Sequence, residues 1–429
     1  INALQIAARR PAALRAILAI AGTDHRYADD AHFIGGLYGR TNLEWGVLCK
    51  SVLGSPPDPQ ITGDHWQSLW LQRLEAAGPL IAGWSHQQNF SAFWQRGSIS
   101  LDYQAISTPV YVVAGLLDTY ANPLGRLLHS LPGPVNGLLG CWAHTYPDTA
   151  IANGVDWLPE ELRWWRRWLL DEQSCDADEA VIWCFVPEAP PVKTLPATVP
   201  GHWQAEDLWP PTERSVQVFF LSPGELHCDP AGEPGSIEYV SRGRPGSGRV
   251  DWLDTLPTEQ SADDALARTF DSEPLAQSLT LLGQVRVQLV LQIDTPAAGI
   301  WVRLNELDEQ GGSWPVCHFV GSLNRLLDDR EPQPFSNGEE YEFEIPLTFC
   351  AHRFAARSRL RLALSDAPWP MTLPLPPTRW RCDLSRARLI VPLAPAARSD
   401  HTLPFALKSG SDPEPKRPDW QERADGSVR

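Results

Sequence analysis

The chain has 429 residues, 43% of them hydrophobic and 21% charged, a composition that argues against global disorder and gives length for two or more domains. Its net charge of −16, from 52 acidic against 36 basic residues, would repel a phosphate backbone and argues against nucleic acid as a partner. No stretch approaches the roughly 20 apolar residues of a membrane helix, which argues against a membrane partner.

The first residue is Ile1 and the sole methionine is Met371, so the sequence reads as a fragment or a processed product of something longer. The eight cysteines, at positions 49, 141, 175, 184, 228, 317, 350 and 382, form no Cys-x-x-Cys pair and have no histidine at zinc-site spacing. They are expected to be buried free thiols, with no metal, in a reducing and therefore cytoplasmic compartment.

In chain order, Ile1, Leu4 and Ile6 stand at near-helical spacing before Pro11, and LRAILAIAG then runs apolar into Gly22. This predicts a helix, a turn and a strand hidden on both faces, as in the parallel sheets of α/β proteins. Residues 31–104 change to Trp-rich helical text. There GDHWQSLWLQRLEAA offers Asp64 as a cap and places Trp66, Trp70 and Leu74 on one face, which predicts an inserted helical cap. TPVYVVAGLLD, PLGRLLHSLPG and VNGLLGCWAH then read as a strand–helix–strand unit. ELRWWRRWLL comes next as a helix expected to bury Leu162, Trp165 and Leu169, and VIWCFV as a strand.

After a proline-rich linker over 188–204 the periodicity switches to two residues. QVRVQLVLQ, EEYEFEIPL and SRLRLAL alternate apolar against polar positions, the pattern of half-buried antiparallel strands. With SVQVFFL, GIWVRLNEL, WPVCHFVGSL and RARLIVPL they predict about seven or eight strands over 205–400, a β-sandwich or jelly roll. The residues from 401 to 429 are expected to form a disordered tail.

Open α/β sheets bind ligands at the carboxyl ends of their strands. Two chemically useful residues close adjacent strands there, Asp118 after VYVVAGLLD and His144 after GLLGCWAH. A carboxylate beside an imidazole is the acid–base pair of a nucleophilic hydrolase, where the carboxylate fixes the tautomer and stabilises the imidazolium. Each also has a plainer reading, Asp118 as a helix cap and His144 as a hydrogen-bonded structural residue. In α/β-hydrolases the serine precedes the acid and the acid precedes the histidine. No G-x-S-x-G occurs in the sequence, and the opening helix and strand correspond to the elements that come after a nucleophile elbow, which places the expected serine upstream of Ile1. Asp24, His25 and Tyr27 lie just after the first strand as candidate substrate-pocket residues, with capping and cap-domain packing as the alternatives. Cys317 and His318 alternate along a predicted strand and so point to opposite faces, which argues against a thiol–imidazole pair.

PAALRAILAIAGTDHRYADDAHFIGG, STPVYVVAGLLDTY, LLGCWAH, ELRWWRRWLL, GHWQAEDLWPP and RSRLRLALSDAPWP, in this order, resemble the cocaine esterase and X-prolyl dipeptidyl aminopeptidase family, the CocE/NonD serine hydrolases. The resemblance runs from Ile1 to about Pro376. It implies an α/β-hydrolase domain, partial and truncated at its N-terminus, over 1–30 and 105–187, with a helical cap and a C-terminal jelly-roll sandwich. It assigns Asp118 as triad acid and His144 as general base, acting without a cofactor on a small ester, amide or short peptide through an acyl-enzyme. Cys141 stands where the family's G-P-W-x-H has proline. The serine and the oxyanion-hole tyrosine fall before Ile1, so this chain by itself is expected to be inactive. A second reading is a non-catalytic binding protein that uses the jelly roll. Oligomeric state and substrate identity stay open.

Overall fold

The computed structural model describes residues 1–150, 153–172, 181–188, 199–211, 215–230, 235–242, 245–246, 259–373, 375–395 and 403–408. The chain opens with the helix Asn2–Ala8 and the strand Ile17–Ile20, as its apolar spacing predicts. That strand begins a five-stranded sheet whose order continues Val110–Gly115, Val135–Gly140, Ile182–Pro187 and Gly201–Glu206. The first four strands run parallel and the last is antiparallel. Gly201–Glu206 therefore closes the edge of this sheet, although most of it falls where the sequence predicts linker.

Val110–Gly115 is buried along its whole length, and its alternate side chains feed two cores. Val110, Val112 and Ala114 meet Leu4, Ala7, Leu124, Leu127 and Leu128 from the helices Asn2–Ala8 and Asn122–Ser130. Tyr111 and Val113 meet Trp157 and Trp164 on the opposite face. The helix Leu158–Leu169 supplies Trp164 with its Glu160/Trp164 face inward, while Leu162 and Leu169 are half exposed. Of the expected face only Trp165 packs against this core, and it does so partly. Glu160 goes inside because Arg163 reaches both of its oxygens at 2.7 Å, so no bare charge is buried.

Between the first two strands, residues 31–104 hold a short hairpin, Phe33–Ile34 with Leu37–Tyr38, and helices at Thr41–Gly54, Trp66–Ala76 and Leu80–Ser85. Asp64 lies in a 3-10 turn and does not cap the helix after it; Asp58 caps a separate short helix, Pro59–Thr62. Trp66 and Trp70 stack with ring centroids 6.2 Å apart, but Leu74 is exposed.

Among the described residues the C-terminal half is an eleven-stranded β structure, larger than the seven or eight strands expected. Its longest pair, Leu279–Ile293 with Glu340–Phe354, is antiparallel, and Val285, Val287, Leu289 and Leu291 enter its core as their alternation predicts. Leu282, Phe349 and Ala351 from this half join the core beneath the helix Asn122–Ser130. Residues 403–408, expected in the disordered tail, instead dock on the α/β half, with Phe405 buried beside Trp183 and Trp203. The described cysteines are free thiols: Cys141, Cys184, Cys317, Cys350 and Cys382 are buried, whereas Cys49 is half-buried and Cys228 exposed. Cys175 lies outside the described residues. Among the described residues no helix is long and apolar enough to cross a membrane.

Candidate active site

The parallel strands Val110–Gly115 and Val135–Gly140 end at the same sheet edge, and both end in glycine for a steric reason. A Cβ on Gly115 would lie 2.1 Å from the Trp142 carbonyl oxygen, and one on Gly140 would lie 1.9 Å from the Trp142 ring. Trp142 is thus packed flat over the two strand ends. Its carbonyl accepts from Leu117 N–H at 3.1 Å, tying the loop that carries Asp118 to the loop that carries His144.

The two side chains meet. Asp118 Oδ2 accepts from His144 Nδ1 at 2.9 Å, with the carboxylate wholly buried and the imidazole 34% exposed. Asp118 Oδ1 accepts from Tyr120 N–H at 3.1 Å, so Asp118 also caps the 3-10 turn Thr119–Ala121. One carboxylate therefore both caps the turn and holds the imidazole. With Nδ1 held by the carboxylate, proton exchange falls to Nε2.

Behind the pair stands a second polar chain that sequence reasoning missed. The Tyr120 ring lies 5.3 Å from the His144 ring, and its hydroxyl donates to Asp30 Oδ1 at 2.7 Å. Asp30, itself buried, is paired through its other oxygen with Arg26. Burial and the Asp30 carboxylate push the Tyr120 phenol far above its ordinary pKa, so it stays a neutral donor. The dipeptide after Asp118 was in view in the sequence, but only the fold brings Asp30 to it from 90 residues away.

The three candidate pocket residues have other partners. Asp24 is wholly buried against Arg126, with Nε to Oδ2 at 3.0 Å and Nη2 to Oδ1 at 2.6 Å, and accepts from the Tyr103 hydroxyl. Burial opposes ionisation, yet Arg126 and Tyr103 outweigh it and hold the carboxyl below its ordinary pKa. A carboxylate so enclosed is a clamp, not a pocket wall. Tyr27 is 1% exposed, donates to Gln88 O at 2.6 Å and packs with Phe33, Phe90 and Trp94. His25 stacks on Phe90 at 4.4 Å, and its Nδ1 accepts from the N–H groups of Tyr27 and Ala28. Among the described residues no group of three or more His, Cys, Asp or Glu side chains is arranged to hold a metal ion.

Residues 1–146 match the family model described as X-Pro dipeptidyl-peptidase of the S15 family, and residues 185–394 match the X-Pro dipeptidyl-peptidase C-terminal non-catalytic domain. Proteins named as serine esterases from Mycobacterium bovis and Mycobacterium tuberculosis are 25% identical over 330 residues, which is 69% of this chain and 50% of each of theirs. The chain thus spans about half the length of the curated relatives it matches. In structure it resembles a CocE/NonD family hydrolase from Staphylococcus aureus, with a TM-score of 0.69 and 13% identity over 91% of this chain and 70% of that one. An α-amino acid ester hydrolase gives a TM-score of 0.66 at 17% identity, covering 91% and 75% of the two chains. An aminopeptidase from a marine sediment Thaumarchaeota archaeon gives 0.63 at 16%, covering 89% and 72%. These neighbours share its α/β-hydrolase-like core and β-rich C-terminal domain. With one family model ending two residues past His144 and the other spanning the β-rich half, the chain belongs to the CocE/NonD, X-Pro dipeptidyl-peptidase-like family of hydrolases.

Proposed function

We propose that this chain supplies the acid and the general base of a serine hydrolase that cleaves an ester or amide bond, X-Pro dipeptide bonds among the candidates, through an acyl-enzyme. The observation that carries the reading is the 2.9 Å contact between His144 Nδ1 and the buried Asp118 carboxylate at the carboxyl edge of a parallel sheet. A serine Oγ attacks the substrate carbonyl while Nε2 of His144 takes its proton, and Asp118 stabilises the resulting imidazolium. The imidazolium returns the proton to the leaving alkoxide or amine. Water then repeats the sequence and releases the acid. Carbonyl polarisation is left to an oxyanion hole.

The serine belongs, on this reading, to residues that lead into Ile1. A Cβ on Gly22, just past the end of the first strand, would lie 2.8 Å from the Ile1 nitrogen, so Ile1 sits at the same sheet edge as Asp118 and His144. Residues 1–429 alone would then turn nothing over. The β-rich half is read as a jelly roll that buttresses the cleft rather than supplying chemistry.

The test is fluorophosphonate labelling of the protein from its native source, with intact mass and peptide mapping as readouts. One adduct on a serine N-terminal to Ile1, lost in His144→Ala, is expected. No adduct, with no hydrolysis of 4-nitrophenyl acetate or of a dipeptidyl-proline 4-nitroanilide, would overturn the reading and leave a binding role to pursue.

A further inference from the structure

The chain leaves the β-rich half after the strand Arg388–Leu393 and turns back toward the α/β sheet, where Gln204 Nε2 donates to Pro395 O at 3.2 Å. Residues 403–408 then lie along the loop after His144. Asp156 N–H donates to Ala406 O at 2.8 Å and Lys408 N–H to Gly154 O at 3.0 Å. Val155 and Leu407 form an antiparallel bridge between these two bonds, and the Lys408 ammonium donates to Asp148 O. Phe405 anchors the segment. It is 6% exposed and stands edge-on to Trp203 at 5.1 Å and to Trp183 at 6.4 Å. Trp203 in turn lies 6.3 Å from Trp142, two residues before His144.

We propose that residues 403–408 are a strap that positions the His144 loop, with Phe405 and Lys408 as its positioning residues. The inference rests on the hydrolase reading for its functional meaning, but its structural content stands apart. Past His144, Thr149 N–H donates to Tyr146 O and Val155 N–H returns to Pro147 O. The strap adds three bonds, at Asp148, Gly154 and Asp156, and one aromatic seat. His144 is the exposed member of its pair, at 34% against 0% for Asp118, so its placement depends on its loop. A displacement of about 1 Å in such a group can cost about 10²-fold in rate.

The test uses the full-length protein, with Phe405→Ala, Phe405→Leu and Lys408→Pro; the last removes the N–H donor to Gly154 and the ammonium without touching the aromatic seat. Two readouts are taken: kcat and KM with 4-nitrophenyl acetate, and amide hydrogen exchange over residues 142–149. Phe405→Ala and Lys408→Pro should each lower kcat at least tenfold with KM within twofold, and should speed exchange over 142–149. Phe405→Leu, which keeps apolar bulk in the seat, should recover most of both. Folded variants with kcat within twofold of the parent and unchanged exchange overturn the strap. If Phe405→Ala fails to fold, Lys408→Pro decides. If the parent is neither labelled nor active, the hydrolase reading has failed, and exchange alone decides the strap: faster exchange upholds it and unchanged exchange overturns it.

Discussion

Asp118 uses both carboxylate oxygens inside the protein, one on the His144 ring and one on the Tyr120 amide. Replacing it with asparagine keeps the shape and the Tyr120 bond but favours the wrong imidazole tautomer. On the proposed hydrolase reading, Asp118→Asn in the protein from its native source is therefore expected to lower kcat about 10⁴-fold, the loss known for a triad acid made an amide, with KM little changed. Steady-state kinetics check this, and a loss below tenfold would remove Asp118 from the mechanism. Asp24 shows the opposite use of a buried carboxylate. Burial works against its charge, but Arg126 and the Tyr103 hydroxyl prevail and depress its pKa below the unfolded value of about 3.9. Because the folded value is the lower one, the stability from this group is fully present above about pH 4 and is lost as pH falls through the depressed folded value. Arg126→Met leaves Asp24 buried without its cation, at a cost of about 3 kcal/mol at pH 7. The gap between parent and variant should narrow as pH falls from 7 toward about 4, because without the guanidinium the buried Asp24 takes a proton more readily in the folded variant than in the parent. Thermal melts across that range decide; a gap constant with pH would separate Arg126 from the ionisation of Asp24.

At the scale of elements, the sequence discloses whatever periodicity or strand-end position encodes. GIWVRLNEL is the strand Gly299–Leu307, and Leu360, Leu362 and Leu364 are fully buried as alternation requires. Asp118 and His144 were legible because a strand end is a place in the topology as well as in the sequence. The orientation of Leu158–Leu169 was not legible, because hydropathy counts Glu160 as an outward residue, whereas in the fold Arg163 and the hydrogen-bonded Tyr111 side chain make its burial tolerable. The Tyr120–Asp30–Arg26 chain was invisible for another reason: its members are polar residues whose pairing depends on tertiary approach. The glycines at the strand ends are features of the same kind. Gly140→Ala would drive a methyl into the Trp142 ring, and a packed aromatic between two strand ends has little room to retreat. The expected cost is about 1–3 kcal/mol of stability, with, on the proposed hydrolase reading, slower fluorophosphonate labelling of the protein from its native source because Trp142 leads into His144. Calorimetry and labelling rate measure the two, and an alanine variant that matches the parent in both would mean that Trp142 does not hold the loop.

At the scale of the whole molecule, the β-rich half bears on the acid loop at Leu116 and Tyr120, and on the helix that follows it through Phe349. The helix Asn122–Ser130 begins a single 3-10 turn after Asp118. Asn122 at its start donates to Asp29 Oδ1 at 2.7 Å and accepts from Phe349 N–H, across the domain boundary, at 2.9 Å. One turn on, Gly125 lets the Phe349 ring lie directly on the helix, since a Cβ there would come within 2.6 Å of the ring. Glycine inside a helix costs roughly 1 kcal/mol against alanine, so its presence is explained by this close approach. The two effects can be separated in a double-mutant cycle. Gly125→Ala alone should destabilise by about 1–3 kcal/mol through overpacking, despite its better helix propensity. Phe349→Ala alone should destabilise by about 3–5 kcal/mol through loss of buried ring. In the Phe349→Ala background the clash is gone, so Gly125→Ala should become neutral or stabilising, giving a coupling energy of about 1 kcal/mol or more. Denaturant unfolding of the four proteins measures it. Additive effects would mean that the ring yields freely, and that the β-rich half does not fix the position of the helix behind Asp118.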